Sequence, residues 1–397
     1  MQIKGEIYKM KKIAIVSKCM VIGGIEKALI EMLRAFDRNK YEITLYLMEL
    51  GGEFYDEIPS WVNIKLIPNI EFSTLEHIKY DLKQKEVLSA INKFGLLIQN
   101  RFEKRYYKEC ENLSKVLPIQ DEVYDLVISY YTPVSLPIYY CLYNLKSKKK
   151  IAFIHNGVDD LGTDISPCYK DYEKYDKIFA VSLDAKQEFI NKFPKLASKT
   201  EIFFNIMNEL DINKKASRGE VFKRENNEVI ILTVGRLTYA KGHDIIPRIS
   251  YKLKEKGYKF KWYIIGEGPL RKQLESEIKE LNLKNNVILL GGKKNPYGYF
   301  KTCDIYAQVS RQEGFGITVA EAKYFNKPII ATEFTGIHDQ INNDKNGLIV
   351  SFKESEIEAG IESLMTNKQL ADSFSNRLKN EKFNNLNQMN MIYEMLI

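Results

Sequence analysis

Short apolar runs alternate with amphipathic stretches along the whole chain. In the first half, "KIAIVS" (12–17) reads as a buried strand, "GGIEKALIEMLRAF" (23–36) as the helix after it and "YEITLYLM" (41–48) as a second strand. "YDLVISYY" (124–131), "KKIAFIHN" (149–156) and "DKIFAVS" (176–182) continue the series. A new series begins at "EVIILTVGR" (228–236). It runs through "KWYIIGEG" (261–268), "NVILLGG" (286–292), "CDIYAQVS" (303–310), "KPIIATEF" (327–334) and "NGLIVSF" (346–352), with a helical segment expected between each strand and the next. Such alternation predicts parallel sheets covered by helices on both faces. The expected fold class is therefore α/β, with two Rossmann-like doubly wound domains facing across a cleft. Residues 205–227 are polar, charged and without periodicity, and are expected to mark the break. The domains are expected at 1–208 and 209–383, with a C-terminal helix at about 384–397 packing back on the first. Open α/β sheets bind ligands beyond the carboxyl ends of their strands, so chemistry is expected in the cleft.

"SRQEGFGITVAEAKYFNKPIIAT" (310–332) holds Glu313 and Glu321. On one continuous helix, residues eight apart stand about 12 Å apart along the axis and about 80° around it, too far to share a metal or a proton. The stretch reads better as a loop, "SRQEGFG", followed by a helix with Glu321 in its second turn. Both carboxylates then face one ligand from different elements, beside a helix N-terminus at Ile317 that suits phosphate. A ligand with hydroxyls for the carboxylates and phosphate for the helix is a nucleotide sugar. The same residues also fit a plain helix and a plain loop, each with a solvated glutamate.

"ILTVGRLTYAKGHD" (231–244) places Arg236 and Lys241 just past a strand end, where two cations can clamp a diphosphate or simply be solvated. Gly266 and Gly268 form a turn that either lets backbone approach a nucleotide or leads into a helix. Gly23 and Gly24 open the first helix, either leaving room for phosphate or sugar or making a tight turn. His155 ends a strand and is expected to point into the cleft.

Composition removes other classes. A 45% hydrophobic share over 397 residues is ordinary for a soluble globular chain, and no apolar run reaches a membrane span. The apolar run "IAIV" after Met10 is broken by Ser17 and Lys18, so it reads as a strand rather than a signal peptide, and a cytoplasmic location is expected. Met10 is an equally natural start, which makes residues 1–9 an expected extension. The five cysteines and four histidines lack metal-ligand spacing, and no Asp-x-Asp occurs, so neither a metal nor a disulfide framework is expected. The net charge of +7 divides into +3 for residues 1–200 and +4 for the rest, and 48 of the 59 basic residues are Lys. Nucleic acid is not an expected partner.

Together "FIHN" at His155, "AVS" at Ser182, "FFN" at Asn205, "VGRLTYAKG", "IGEGPL", "EGFGITVAEA", "KPIIAT", "NGLIV" and the Gly23-Gly24 turn resemble the retaining, nucleotide-sugar-dependent glycosyltransferases of family 4, which have the GT-B fold. The resemblance covers nearly the whole chain. It implies that Arg236 and Lys241 neutralise the donor diphosphate, that Glu321 holds the ribose hydroxyls and that Glu313 lies by the transferred sugar. It further implies that backbone N–H groups from Gly314, Phe315, Gly316 and Ile317 touch sugar or phosphate, and that His155 lies near the acceptor and the reacting carbon. No cofactor is implied beyond a nucleotide-diphosphate sugar as co-substrate, UDP-sugar favoured. The implied partner is a glycan or lipid-linked glycan acceptor, in surface polysaccharide or glycoconjugate biosynthesis. The chain departs from the family pattern at Tyr324, Phe325 and Asn326, where small residues are usual, and at His338, where proline is common.

Two rival readings are a nucleotide-sugar epimerase and an inactive homologue serving as a partner subunit. A contact with anionic membrane is also expected. Ile98, Phe102, Tyr106, Cys110, Leu113 and Leu117 recur at helical spacing, while Arg101, Lys104, Arg105, Lys108 and Lys115 fall on a separate face within about 100° of arc. The plain alternative is a packed surface helix with solvated lysines.

Overall fold

The computed structural model describes residues 10–71, 73–102, 105–158, 164–224, 228–381 and 385–397. Seven strands, β1 (Lys11–Ser17), β2 (Tyr41–Leu47), β3 (Asn63–Leu66), β4 (Val123–Ser129), β5 (Lys146–Ile154), β6 (Lys177–Ala180) and β7 (Thr200–Ile202), form the first sheet in the order β3-β2-β1-β4-β5-β6-β7. The second holds β8 (Val229–Val234), β9 (Phe260–Ile265), β10 (Val287–Gly291), β11 (Ile305–Gln308), β12 (Ile329–Thr332) and β13 (Leu348–Val350), in the order β10-β9-β8-β11-β12-β13. Every pairing is parallel. Strand order reverses between β1 and β4 and between β8 and β11, which are the crevices where doubly wound sheets take ligands.

Alternation along each strand explains the layers. Ile13 and Ile15 enter one core of the first domain and Ala14 and Val16 the other, while Ile231 and Ile230 divide likewise in the second domain. The strands expected from apolar runs are all present. The two that sequence pattern does not pick out, β3 and β7, are short strands at the two edges of the first sheet.

Three expectations are corrected. Residues 205–227 contain a helix, Glu209–Arg218, whose first turn is capped by Asn208 Oδ1 accepting from the amides of Leu210 (3.1 Å) and Asp211 (3.3 Å). Only Ile212 and Ala216 of that helix are buried, too few to register as a period. Between β12 and β13 no helix forms. Residues 333–347 run as turns, with Gly336 at φ +82° packed against Gly314 and Ser182. Finally, the apolar stripe from Ile98 to Leu117 does not lie on one helix. The chain forms Val87–Phe102 and then Tyr106–Val116, with Arg105 extended at the N-cap of the second. Cys110 and Leu117 are buried, whereas Ile98 is 51% exposed. Periodicity counts angles and cannot register a backbone break between two segments in phase. Glu103 and Lys104, and the side chains of Arg101 and Phe102, lie outside the described residues, as do residues 1–9.

The chain crosses between domains twice. After the second domain it returns, and helix Met389–Glu394 buries Met389 and Ile392 in the same core as Ile13 and Ile15. Tyr393 stacks on Tyr41 (ring centroids 5.2 Å apart) and donates to the carbonyl of Ala35 at 3.1 Å. At the crossing, Asn385 Oδ1 accepts from the amide of Met207 at 3.0 Å. Charged groups add to the join: Arg34 donates to Asp211 (2.9 Å) and to Glu57 (2.7 Å), and Lys215 donates to Glu57 (2.9 Å).

Ile392→Ala is therefore expected to destabilise the first domain by about 2–5 kcal/mol, the usual cost of emptying a buried aliphatic site. Urea denaturation followed by Trp61 fluorescence in a Trp262→Phe background measures it. A loss below about 1 kcal/mol would show that the C-terminal helix is not part of that core.

Candidate active site

A cavity of about 510 Å³ lies between the domains, walled by Ile22, Gly23, Gly24, Lys27 and Phe54 on one side and by residues past the ends of β8, β9 and β11 on the other. Of the residues expected to form a site, Gly23, Gly24, Arg236, Lys241, Gly266, Glu313, Ile317 and Glu321 all line it. His155, Gly314, Phe315 and Gly316 do not: the last three belong to the glutamate-bearing loop, and the backbone of His155 is the seat on which it rests.

That seat is backbone against backbone. A side-chain carbon at Gly314 would fall 1.7 Å from the carbonyl oxygen of His155, so only glycine lets the two domains meet there. Ser182 Oγ donates to the carbonyl of Gly314 at 3.2 Å. Gly316, at φ +75°, turns the chain into helix Ile317–Tyr324. The His155 ring does not point into the cavity. It is 4% exposed, packed on Tyr130 (4.3 Å) and Phe153 (5.7 Å), and burial pushes its pKa down to about 3. It is therefore a neutral ring at neutral pH, with an Nε2 that has no hydrogen-bond partner.

Glu313 is held by a chain of donors. Its Oε1 accepts from Gln308 Nε2 (3.1 Å) and Ser310 Oγ (3.1 Å) and pairs with the Lys241 ammonium (2.6 Å). Thr318 and Tyr306 hydroxyls fix Gln308 in turn by donating to its Oε1. With these contacts on Oε1, Oε2 is left to accept from a ligand. Lys241 keeps two of its three N–H donors for another anion.

Glu321 lies in the second turn of its helix, as expected, with its side chain 2% exposed. Its Oε1 pairs with Lys27, a residue of the other domain, and the Tyr297 phenol stands beside the carboxylate as a second polar neighbour. Lys27 also lies over the ring of Tyr297, 4.3 Å from its centroid. Burial, followed by the charge of Glu321, raises the Tyr297 phenol well above its ordinary value. Arg236 is exposed, and its side chain makes no ion pair or hydrogen bond among the described residues.

The glycine-bearing turns are more crowded than their sequence suggests. A side-chain carbon at Gly266 would meet the carbonyl of Gly235 at 1.8 Å, so this glycine first lets two strand-end loops pack together. One at Gly23 would fall 2.2 Å from Glu26 Oε2. The buried Glu26 carboxylate thus folds back on the helix start where room for phosphate was expected, and burial raises its pKa despite its own amide and the charge of Arg236. Downstream of Glu321, Tyr324 donates to the carbonyl of Glu209 at 3.3 Å, tying the site helix to Glu209–Arg218. His338 pairs with Glu333 at 2.7 Å on the surface.

Sequence reasoning missed Lys27. The signal was weak: a lysine near the start of a helix opposes the helix dipole, but Glu31 four residues on gives it a local partner. The Gln308–Ser310–Thr318 support of Glu313 left no such mark.

Residues 214–381 match the family model described as glycosyl transferases group 1, which places that signature on the second domain. A Campylobacter jejuni protein, N-acetylgalactosamine-N,N'-diacetylbacillosaminyl-diphospho-undecaprenol 4-alpha-N-acetylgalactosaminyltransferase, is 30% identical over 52% of this chain and 56% of its own. The chain spans about half the length of this and comparable curated relatives. A second C. jejuni protein, GalNAc-alpha-(1->4)-GalNAc-alpha-(1->3)-diNAcBac-PP-undecaprenol alpha-1,4-N-acetyl-D-galactosaminyltransferase, is 22% identical over 86% of this chain and 85% of its own. Among solved structures, Anabaena HepE in complex with UDP-glucose superposes with a TM-score of 0.68 at 16% identity, covering 97% of this chain and 99% of that one. The fold is the GT-B arrangement of two Rossmann-like domains.

Gly314→Ala is expected to push the domains apart at the His155 carbonyl and to destabilise the protein by roughly 1–3 kcal/mol, the cost of overpacking a close contact. Urea denaturation and the radius of gyration from small-angle scattering measure the two effects. Unchanged values in both would mean that the domains are not seated at this contact.

Proposed function

We propose that this protein is a nucleotide-sugar-dependent glycosyltransferase that moves a hexose or related sugar from a UDP-sugar to a glycan acceptor with retention of anomeric configuration. The observation that carries the reading is one cavity flanked by two fixed carboxylates and two cations, Glu313, Glu321, Lys241 and Arg236, on the GT-B fold. Arg236 and the two remaining donors of Lys241 take the diphosphate. Glu321 takes the ribose hydroxyls, and Glu313, through Oε2, takes a hydroxyl of the transferred sugar. Preorganised donors of this kind stabilise charge where it develops on the leaving group, so the reaction runs without a divalent cation.

In this reading the acceptor oxygen bonds to the anomeric carbon as the bond from that carbon to the diphosphate oxygen breaks. The hydroxyl proton passes to the departing oxygen on the same face of the sugar. His155 is not the base, because a ring with a pKa of about 3 is a poor proton acceptor at neutral pH. Its ring, packed on Tyr130 and Phe153, supports the backbone beneath the Gly314 loop instead.

The acceptor is taken to be lipid-linked and the protein cytoplasmic, in contact with the inner face of a membrane. Two facts support this. The C. jejuni relatives are named for diphospho-undecaprenol substrates. In addition, helix Val87–Phe102 exposes Val87, Leu88 (74%), Ile91, Phe94 and Ile98 at helical spacing. The sequence of residues 87–108 holds five basic residues and one acidic; Lys93 is paired with Asp81 (2.8 Å) and Lys108 with Glu111 (2.6 Å), and the positive balance that the sequence leaves favours anionic headgroups.

With assays run in EDTA, wild-type turnover is expected to persist. Glu321→Ala raises KM, Glu313→Ala mainly lowers kcat, and Arg236→Ala slows turnover by roughly 10²- to 10³-fold. Equal small effects from the two glutamates would remove the donor assignment. Restoration by Mg²⁺ of an activity lost to EDTA would remove the metal-free reading, and nucleotide-sugar interconversion without acceptor would favour the epimerase.

Sedimentation with liposomes tests the membrane contact separately. Wild-type protein is expected to pellet with anionic vesicles at low salt, and the triple variant Leu88→Ser, Ile91→Ser, Phe94→Ser to remain in solution. Equal pelleting of both, or none by the wild type, would overturn the contact and leave the transferase reading standing.

A further inference from the structure

Lys27 is the one cation that the first domain supplies among the described residues lining the cavity; Arg236, Lys241, Lys293 and Lys294 come from the second. Its side chain is 18% exposed, crosses the cleft over the face of Tyr297, and ends on the carboxylate of Glu321. Both Glu321 oxygens are covered, with the Lys27 ammonium on Oε1 and the Tyr297 phenol beside the carboxylate. A ligand that takes both Glu321 oxygens, as a vicinal diol does, must therefore move the Lys27 ammonium. Doing so leaves a buried charge unpaired on each side of the cleft unless the ligand satisfies both. Hydroxyls can serve the carboxylate and a phosphate can serve the ammonium. A molecule carrying a vicinal diol and a diphosphate does both at once.

We propose that Lys27 is a specificity-determining residue that exchanges partners, giving up Glu321 to the ribose hydroxyls and taking the diphosphate in return. The proposal rests on the nucleotide-sugar reading of the cavity. The exchange makes the site select nucleoside diphosphate over either half alone, because a nucleoside strands the ammonium and pyrophosphate strands the carboxylate. It also makes donor recognition depend on the first domain, which otherwise gives the cavity a wall of small and apolar side chains and Glu53. Lys294 does not substitute for it, since its ammonium lies 4.0 Å from Asp56 near the outer surface, where both side chains are about half exposed or more.

Calorimetric titration of the full chain with uridine, pyrophosphate and UDP tests this. In Lys27→Met the pair no longer has to be broken, so uridine is expected to bind about tenfold more tightly and UDP about tenfold more weakly, the range for one hydrogen bond to a charged group. Lys27→Arg is expected to restore the wild-type order. Glu321→Gln breaks the pair from the other side and keeps the fold testable if Lys27→Met does not express: pyrophosphate is then expected to bind more tightly and uridine more weakly. Opposite movement of the half-ligand and of UDP supports the exchange, because a merely structural lysine would move all three ligands in one direction. Movement in one direction, or no movement, in a wild type that binds UDP overturns the exchange and leaves the donor site intact. If the wild type binds none of UDP, GDP and ADP, the donor-site reading itself fails and the exchange with it. If it binds GDP or ADP instead, the matching nucleoside replaces uridine.

Discussion

The cleft depends on one backbone contact, the α-carbon of Gly314 against the carbonyl of His155. It joins the carboxyl end of β5 in one domain to the loop after β11 in the other, so it sets how close the two strand-end crevices come. Ser182 and Gly336 close on the same loop from either side, and the loop carries Glu313 on one flank and the start of helix Ile317–Tyr324 on the other. A shift of the seat therefore moves both candidate carboxylates together. Residues that never touch the cavity thus determine its geometry, and this gives His155 a structural part whatever its ring does.

Charge in the cavity is arranged in pairs that a ligand can divide. Glu313 and Lys241 belong to the same domain, and Gln308 and Ser310 hold the glutamate, so that pair is preorganised. Glu321 and Lys27 belong to different domains, so that pair exists only while the cleft is closed. Arg236, whose side chain has no ion-pair or hydrogen-bond partner among the described residues, adds positive potential that draws an anion in. The difference between a fixed pair and a pair across the gap separates the two glutamates more clearly than their spacing in sequence does.

Strands such as β1, β5 and β8 are legible because both faces of a doubly wound sheet are buried, leaving a continuous apolar run bounded by charge. β3, "NIKL", and β7, "TEI", lie at sheet edges with polar residues in the run, and the pattern fades with the burial. Residues 98–117 mislead for the opposite reason: two helices happen to share one angular phase, and only the backbone shows the break at Arg105. In the site, Arg236, Lys241, Glu313 and Glu321 are legible because each stands beside a strand end or a helix start. His155 is read correctly to its position and wrongly to its direction, since a strand end fixes the backbone and leaves the ring free to pack on Tyr130. Lys27 and Glu321 are 294 positions apart and share no element, so their pairing belongs to the docking of the domains alone.

That docking is hinged on one side only. The chain crosses near Asn205–Met207 and again near Asn385, and the two crossings are tied by hydrogen bonds between Asn385 and the backbone of Asn205 and Met207. Two adjacent crossings define an axis about which the domains can turn without breaking a covalent bond. The other joins include the ion pairs of Arg34 with Asp211, Lys215 with Glu57 and Lys27 with Glu321, the Gly314 seat under Ser182, and hydrogen bonds from the amide of Leu183 to Asp339, from Thr335 to Glu188 and from the amide of Gly336 to Asp184. Partly exposed pairs and single hydrogen bonds each contribute little, whereas the buried Lys27–Glu321 pair parts at modest cost only when a ligand takes up both charges. The fold thus places its covalent crossings on one side and polar, separable contacts around the cavity, a distribution suited to a site filled and emptied by a large charged ligand.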